Sequence, residues 1–248
     1  QVSIDYRSVD DCLRKMRLAN ALVPLLALMT DNAPLFEAAP RPHQMMRTQI
    51  WEQCDPDRCG TVPGVMEEGF TWEAYAEYIL DTPAMVDLST GTPQLSQKTF
   101  GDIFADRVMT EADVEHALSV FFTDVRLKRY IEIRPADAMA AEYAVAYGAL
   151  IKGLFYSDES LDRLDEIFNG VTTQDIVQAK AALMANGYEG RIYGSSAAAL
   201  ADQLISLAAT GLPASETHLL KPLAALVASR CTLADLQIEA AHQDQAAQ

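Results

Sequence analysis

The chain has 248 residues, with 35 Asp and Glu against 19 Lys and Arg, giving a formal net charge of -16. A general nucleic-acid binder needs a basic footprint to displace counterions, so that class is excluded. Half of the residues are hydrophobic, 8% aromatic and 22% charged, which describes a globular protein long enough for one sizeable core, or for two domains.

Residues 1–6 alternate, with Val2, Ile4 and Tyr6 on one face, and predict a half-buried strand. Because that pattern begins at Gln1 with no initiator Met, the sequence reads as a piece of a longer chain. Ser8 and Asp11 fit a capping box that opens a long helix, with a kink expected at Pro24 and an end at residues 31–34. Residues 45–51 alternate again and predict a strand with Arg47, Gln49 and Trp51 on one face. The Asp55-Pro56-Asp57 stretch has a broken calcium-loop ligand set and reads as a turn.

Residues 70–80 read as a helix, and 84–102 as a loop with a short helix. Thr110 and Asp113 form a second capping box, for a helix through Phe122. A strand over 125–134 follows, then helices from near Thr173, Ser195, Ser215 and Thr232, and a frayed tail at 242–248.

The longest apolar stretch, residues 21–29, is too short to span a bilayer, so a soluble protein is expected. Cys12, Cys54, Cys59 and Cys231 form no Cys-x-x-Cys pair and read as free cytosolic thiols, which places the protein in the cytoplasm. A local bridge between Cys54 and Cys59 is the oxidised alternative.

Residues 125–134 carry the most chemistry. Val125, Leu127, Ile131 and Ile133 share one face, while Arg126, Lys128, Tyr130, Glu132 and Arg134 share the other. Arg134 offers a donor fork that matches phosphate or carboxylate, and Glu132 a hard oxygen of the kind Mg²⁺ takes beside phosphates. That face suits an anion and a metal together; it equally suits a surface strand carrying cross-strand ion pairs. Arg47, with Gln49 and Trp51, repeats the arrangement, Trp51 being either a ligand wall or a core aromatic. His43, His116, His218 and His242 are dispersed and read as structural or solvated, with His116 held in reserve for its place before the charged strand.

The runs QVSIDY, LANALVPLLALMTDNAPLFE, MRTQIWEQCDPDRCG and DVRLKRYIEIRPAD resemble, in the same order, the C-terminal half of glutamate–cysteine ligases. The similarity is to the plant and proteobacterial type and to the ligase module of bifunctional glutathione synthases, from Gln1 to about Tyr156 and more loosely beyond. The resemblance implies an α+β fold: a glutamine-synthetase-like antiparallel half barrel with surrounding helices, incomplete at its N-terminus. Residues 1–156 would form the C-terminal part of that half barrel and 157–248 its helical portion.

The implied reaction is ATP-dependent ligation of the glutamate γ-carboxylate to the amine of cysteine through an acyl phosphate, with Mg²⁺ as cofactor. By motif position Glu132 resembles the Mg²⁺ ligand and Arg134 the phosphate-contacting arginine. Arg47 resembles the arginine that grips glutamate, with Trp51 beside it, and Lys128 is an ATP-side residue. The implied partners are glutamate, cysteine, ATP and the missing N-terminal half, without which this piece would be inactive. Met85 stands where plant members carry a Tyr. A related ligase with another amine acceptor and a non-catalytic scaffold are the alternatives.

Overall fold

The computed structural model describes residues 1–88 and 90–246. The chain runs β1 (Val2–Ile4), α1 (Val9–Met29), β2 (Leu35–Phe36), β3 (Ala39–Pro40), α2 (Met46–Cys54), β4 (Cys59–Gly60), α3 (Trp72–Asp81), β5 (Pro83–Asp87) and β6 (Gln94–Thr99). It continues through α4 (Phe100–Ile103), α5 (Glu111–Ser119), β7 (Phe122–Thr123), β8 (Val125–Leu127) and β9 (Ile131–Ile133). The remainder is α6 (Ala141–Phe155), α7 (Asp158–Ile167), α8 (Thr173–Asn186), β10 (Arg191–Ile192), β11 (Ser195–Ser196), α9 (Ala197–Gly211), α10 (Lys221–Ser229) and α11 (Leu233–Ala246). This is an α+β arrangement with small sheets.

Helix α1 is the hub. Ser8 Oγ accepts from the Asp11 N–H at 3.2 Å, while Asp11 reaches back to the Arg7 N–H at 2.8 Å. From Leu18 to Met29 every residue is buried, as a helix apolar on all sides requires, and the helix continues past Pro24 as one element. The three-stranded antiparallel sheet β1–β9–β8 packs on it. No helix among the described residues is long and apolar enough to cross a membrane.

Helices α6 and α9 lie with their backbones in contact. A Cβ at Gly153 would fall 2.2 Å from the Ala208 carbonyl oxygen, and one at Gly211 would fall 2.1 Å from that of Gly153. Only glycine permits this approach.

Several expectations need correction. Residues 125–134 are two strands rather than one: the chain reverses at residues 128–130, where the Lys128 N–H donates to the Tyr130 carbonyl at 2.8 Å. Cross-strand partners share a face, so the pairs Val125 with Ile133 and Leu127 with Ile131 keep the apolar residues together, as a single strand would. Residues 46–54 are helical, not extended. Arg47 and Trp51 still share a face because they lie one turn apart, whereas Gln49 points elsewhere and meets His43 Nε2 at 2.7 Å.

The stretch 84–102 contains the β5–β6 hairpin before its short helix, and α5 stops at Ser119, leaving Phe122 in β7. The capping box expected at Thr110 is present; the one expected at Ser8 forms only in half, since Asp11 meets the Arg7 N–H rather than that of Ser8. A further box at Thr172 opens α8, and Ser196 caps α9. Near Ser215 the chain first makes a 3-10 turn over Thr217–Leu220, then α10. Of the expected tail, residues to Ala246 continue α11; 247 and 248 lie outside the described residues. All four cysteines are free, so Cys54 and Cys59 form no bridge.

Candidate functional site

The β8–β9 register sets Arg126 opposite Glu132. Glu132 Oε2 accepts from Arg126 Nε at 2.8 Å, lies 2.6 Å from Arg126 Nη2, and also accepts from Arg134 Nη1 at 3.1 Å. Arg126 Nη1 further donates to the Phe121 carbonyl at 2.8 Å, and Arg134 Nη1 to Gln1 Oε1 at 2.6 Å. Glu132 is only 6% exposed. Burial works against its charge, but the two guanidinium groups outweigh burial and hold its pKa below the ordinary glutamate value. The ion-pair alternative for this face is therefore present in its cross-strand geometry, buried rather than solvated.

Helix α2 brings in the second group. The Arg47 guanidinium lies 5.8 Å from the centre of the Trp51 ring, and its Nη1 donates to the Pro135 carbonyl at 3.4 Å. Burial and the like charge of Arg134 lower the Arg47 pKa, with Asp137 and Asp124 opposing them. Trp51 stacks on Phe122 at 5.4 Å and 25°, and the Arg134 guanidinium lies 5.8 Å from the Phe122 ring centre. Arg47, Trp51, Phe122 and Arg134 thus form one continuous row.

A further buried cation adjoins these elements: Lys180 of α8, only 1% exposed. Its Nζ is 2.6 Å from Asp124 Oδ2 and 3.1 Å from Glu52 Oε1. Glu52 belongs to α2, and the Asp124 carbonyl accepts from the Arg134 N–H at 2.9 Å, so this ammonium ties both parts of the site together. Burial opposes the charge of Lys180, yet the two carboxylates raise its pKa above the ordinary lysine value.

The structure brings together Glu132, Arg134, Arg47 and Trp51. Lys128 lies in the hairpin turn, lining a groove with Tyr6, Val114 and Leu118. His116 Nε2 lies 3.2 Å from the Val86 carbonyl, and its ring meets the edge of Phe100. Met85 sits on β5 with φ of 55°. Sequence reasoning overlooked Phe122, Lys180, Asp124 and Glu52. Lys180 did leave a signal: it occupies the apolar stripe of α8 between Ile176, Ala179 and Leu183, all buried.

As a metal site this chain is incomplete. Glu132 is a single carboxylate whose Oε2 already carries two arginines, and no group of three or more His, Cys, Asp or Glu suited to a metal occurs among the described residues. The donors present do not by themselves fit Mg²⁺. Two guanidinium groups on one carboxylate, with Arg47 at the other end of the aromatic row, do suit anions such as carboxylate or phosphate.

The sequence pattern of glutamate-cysteine ligase family 2 matches residues 1–234. The chain is 28% identical over 246 residues to glutamate–cysteine ligase B, chloroplastic, of Oryza sativa subsp. japonica, covering 95% of this chain and 50% of that protein. It is 28% identical over 253 residues to the chloroplastic glutamate–cysteine ligase of Medicago truncatula, covering 98% and 50%. With that of Arabidopsis thaliana the identity is 31% over 194 residues, covering 75% and 36%. The chain spans about half the length of the first two relatives. All three are named chloroplastic, which overturns the cytoplasmic expectation; free thiols alone do not distinguish one reducing compartment from another.

Proposed function

This chain belongs to glutamate-cysteine ligase family 2, and we propose that it supplies the arginine-lined wall of an ATP-dependent ligase site joining the γ-carboxylate of glutamate to the amine of cysteine. The observation that carries the reading is the pairing of Arg126 and Arg134 on Glu132, with Arg47 joined to Arg134 through the Trp51–Phe122 stack. A γ-carboxylate oxygen attacks the terminal phosphorus of ATP and ADP leaves; the cysteine nitrogen then attacks the acyl carbon, phosphate leaves and the nitrogen loses a proton. Every species but the amine is anionic, so the work of this wall is to neutralise and align.

In this reading Arg47 grips glutamate with Trp51 as the wall beside it, and Arg134 meets the transferred phosphoryl group. Arg126 shares Glu132 with Arg134 and so limits the directions in which either guanidinium points. Lys128, on the hairpin turn, is the ATP-side residue of this reading. Bound Mg²⁺ would neutralise phosphate charge; Glu132 offers it one oxygen, and further ligands would come from the part of the relatives that this chain does not span. The β1–β9–β8 sheet backed by α1 forms one wall of an antiparallel half barrel that the same part would complete.

The chain alone is accordingly expected to be inactive. The test supplies ATP, Mg²⁺, glutamate and cysteine to the 248 residues, with and without the remaining part of the ligase, and measures ADP release. Release that requires both parts and both amino acids supports the reading. Robust turnover by this chain alone sinks the shared site, and no ADP release by the joined parts sinks the ligase assignment.

A further inference from the structure

We propose that Phe122 is a positioning residue: its ring, set between Trp51 and Arg134, fixes the spacing of the Arg47 and Arg134 guanidinium groups and thereby of the anions they hold. The identity of those anions, a glutamate carboxylate and a phosphoryl group, rests on the ligase reading; the spacing role rests on geometry.

Phe122 does not serve the core. Its neighbour Phe121 is fully buried, while Phe122 turns the other way and is 36% exposed. Its backbone is nonetheless held: β7 pairs with β4 with Phe122 beside Cys59, and the Phe122 N–H donates to the Arg58 carbonyl at 2.8 Å. A fixed backbone presents a fixed ring. On that ring Trp51 stacks at 5.4 Å and Arg134 rests at 5.8 Å.

The two arginines differ in how they are held. Arg134 has Glu132 and Gln1 as hydrogen-bond partners in addition to the ring. Among the described residues Arg47 makes one long hydrogen bond, to the Pro135 carbonyl at 3.4 Å; Asp137 and Asp124 attract it at longer range, and the Trp51 face is the surface that orients it. Trp51 in turn depends on Phe122. A guanidinium on a long flexible stem loses orientation when its aromatic platform goes, and reacting groups misplaced by an ångström react far more slowly.

The test uses Trp72→Phe as background, leaving Trp51 as the sole tryptophan of the two in the chain. Phe122→Leu and Phe122→Met remove the ring while filling its space, and Phe122→Tyr keeps it. Each protein is titrated with L-glutamate and with pyrophosphate, following Trp51 emission, with circular dichroism and thermal melting as controls. Glutamate affinity should fall roughly tenfold in the Leu and Met variants, with the Trp51 response to pyrophosphate lost, and Tyr should restore both to within about twofold.

Leu and Met variants that bind like the parent would overturn the positioning role and leave the ligase reading intact. Loss of the fold in both assigns Phe122 to structure and overturns the proposal. A parent chain that binds neither probe overturns the anion-binding reading of this wall, and the positioning role with it.

Discussion

Arg126 and Glu132 face each other as a register pair across the β8–β9 hairpin, and the carboxylate oxygen that meets Arg126 also meets Arg134. One buried acid therefore orders two guanidinium groups. Their arrangement around a single carboxylate leaves positive charge in excess there.

Glu132→Gln should lower the stability of this chain and, in the joined ligase, its activity. On a solvated polar face only activity would suffer, but this carboxylate is buried and shared by two arginines, so removing its charge leaves both guanidinium groups undercompensated. Unfolding in urea should show a loss of roughly 3 kcal/mol, the lower end for breaking a buried pair.

The same acid sets a pH dependence. Its folded pKa lies below its unfolded value, so its stabilising contribution is complete above the ordinary glutamate pKa and disappears as pH falls through the lowered one. The parent chain should lose more stability than Glu132→Gln on acidification through that window. Urea midpoints at neutral and acidic pH test this, and parallel losses would contradict it.

Lys180→Met should destabilise by about 3–5 kcal/mol, because Asp124 and Glu52 then confront each other with no cation between them. The lysine pKa is raised by folding, so its contribution is fully present at neutral pH and would fade only as pH rises through that raised value. Double substitution with Glu52→Gln should recover part of the loss; a simple sum of the two losses would argue against coupling.

Arg47→Lys keeps the charge but not the planar stacking on Trp51. Calorimetry should show glutamate binding weakened about tenfold, with the melting temperature nearly unchanged.

Gly153→Ala forces a methyl group to 2.2 Å from the Ala208 oxygen, so α6 and α9 must separate. A loss of roughly 1–3 kcal/mol by calorimetric melting is expected, with Gly211→Ala behaving alike.

Much of this architecture is legible in the amino-acid order. The capping residues Ser8, Thr110, Thr172 and Ser196 mark helix starts because a side-chain oxygen must meet exposed amides there. The apolar side of 125–134 is likewise plain from its period of two. What that period cannot reveal is the reversal at residues 128–130, where no glycine, proline or asparagine announces a turn, and where odd positions stay on one face whether or not the strand bends back. The α2 segment misleads for a related reason: Arg47 and Trp51, four apart, share a face in both a strand and a helix. Of the site, Glu132, Arg134, Arg47 and Trp51 are readable as residue types suited to anions, but Phe122 and Lys180 act through contacts with distant segments.

The pairing of β1 with β9 also governs when the site can exist. The hairpin β8–β9 closes over a short turn, yet its third strand comes from the start of the chain, and the Gln1–Arg134 hydrogen bond spans 133 positions. Closing so long a loop is slow and entropically costly, and it precedes any gain from the contacts it makes. The buried arginines should therefore remain hydrated until late in folding, and protection of their backbone amides from hydrogen exchange should appear after that of α1.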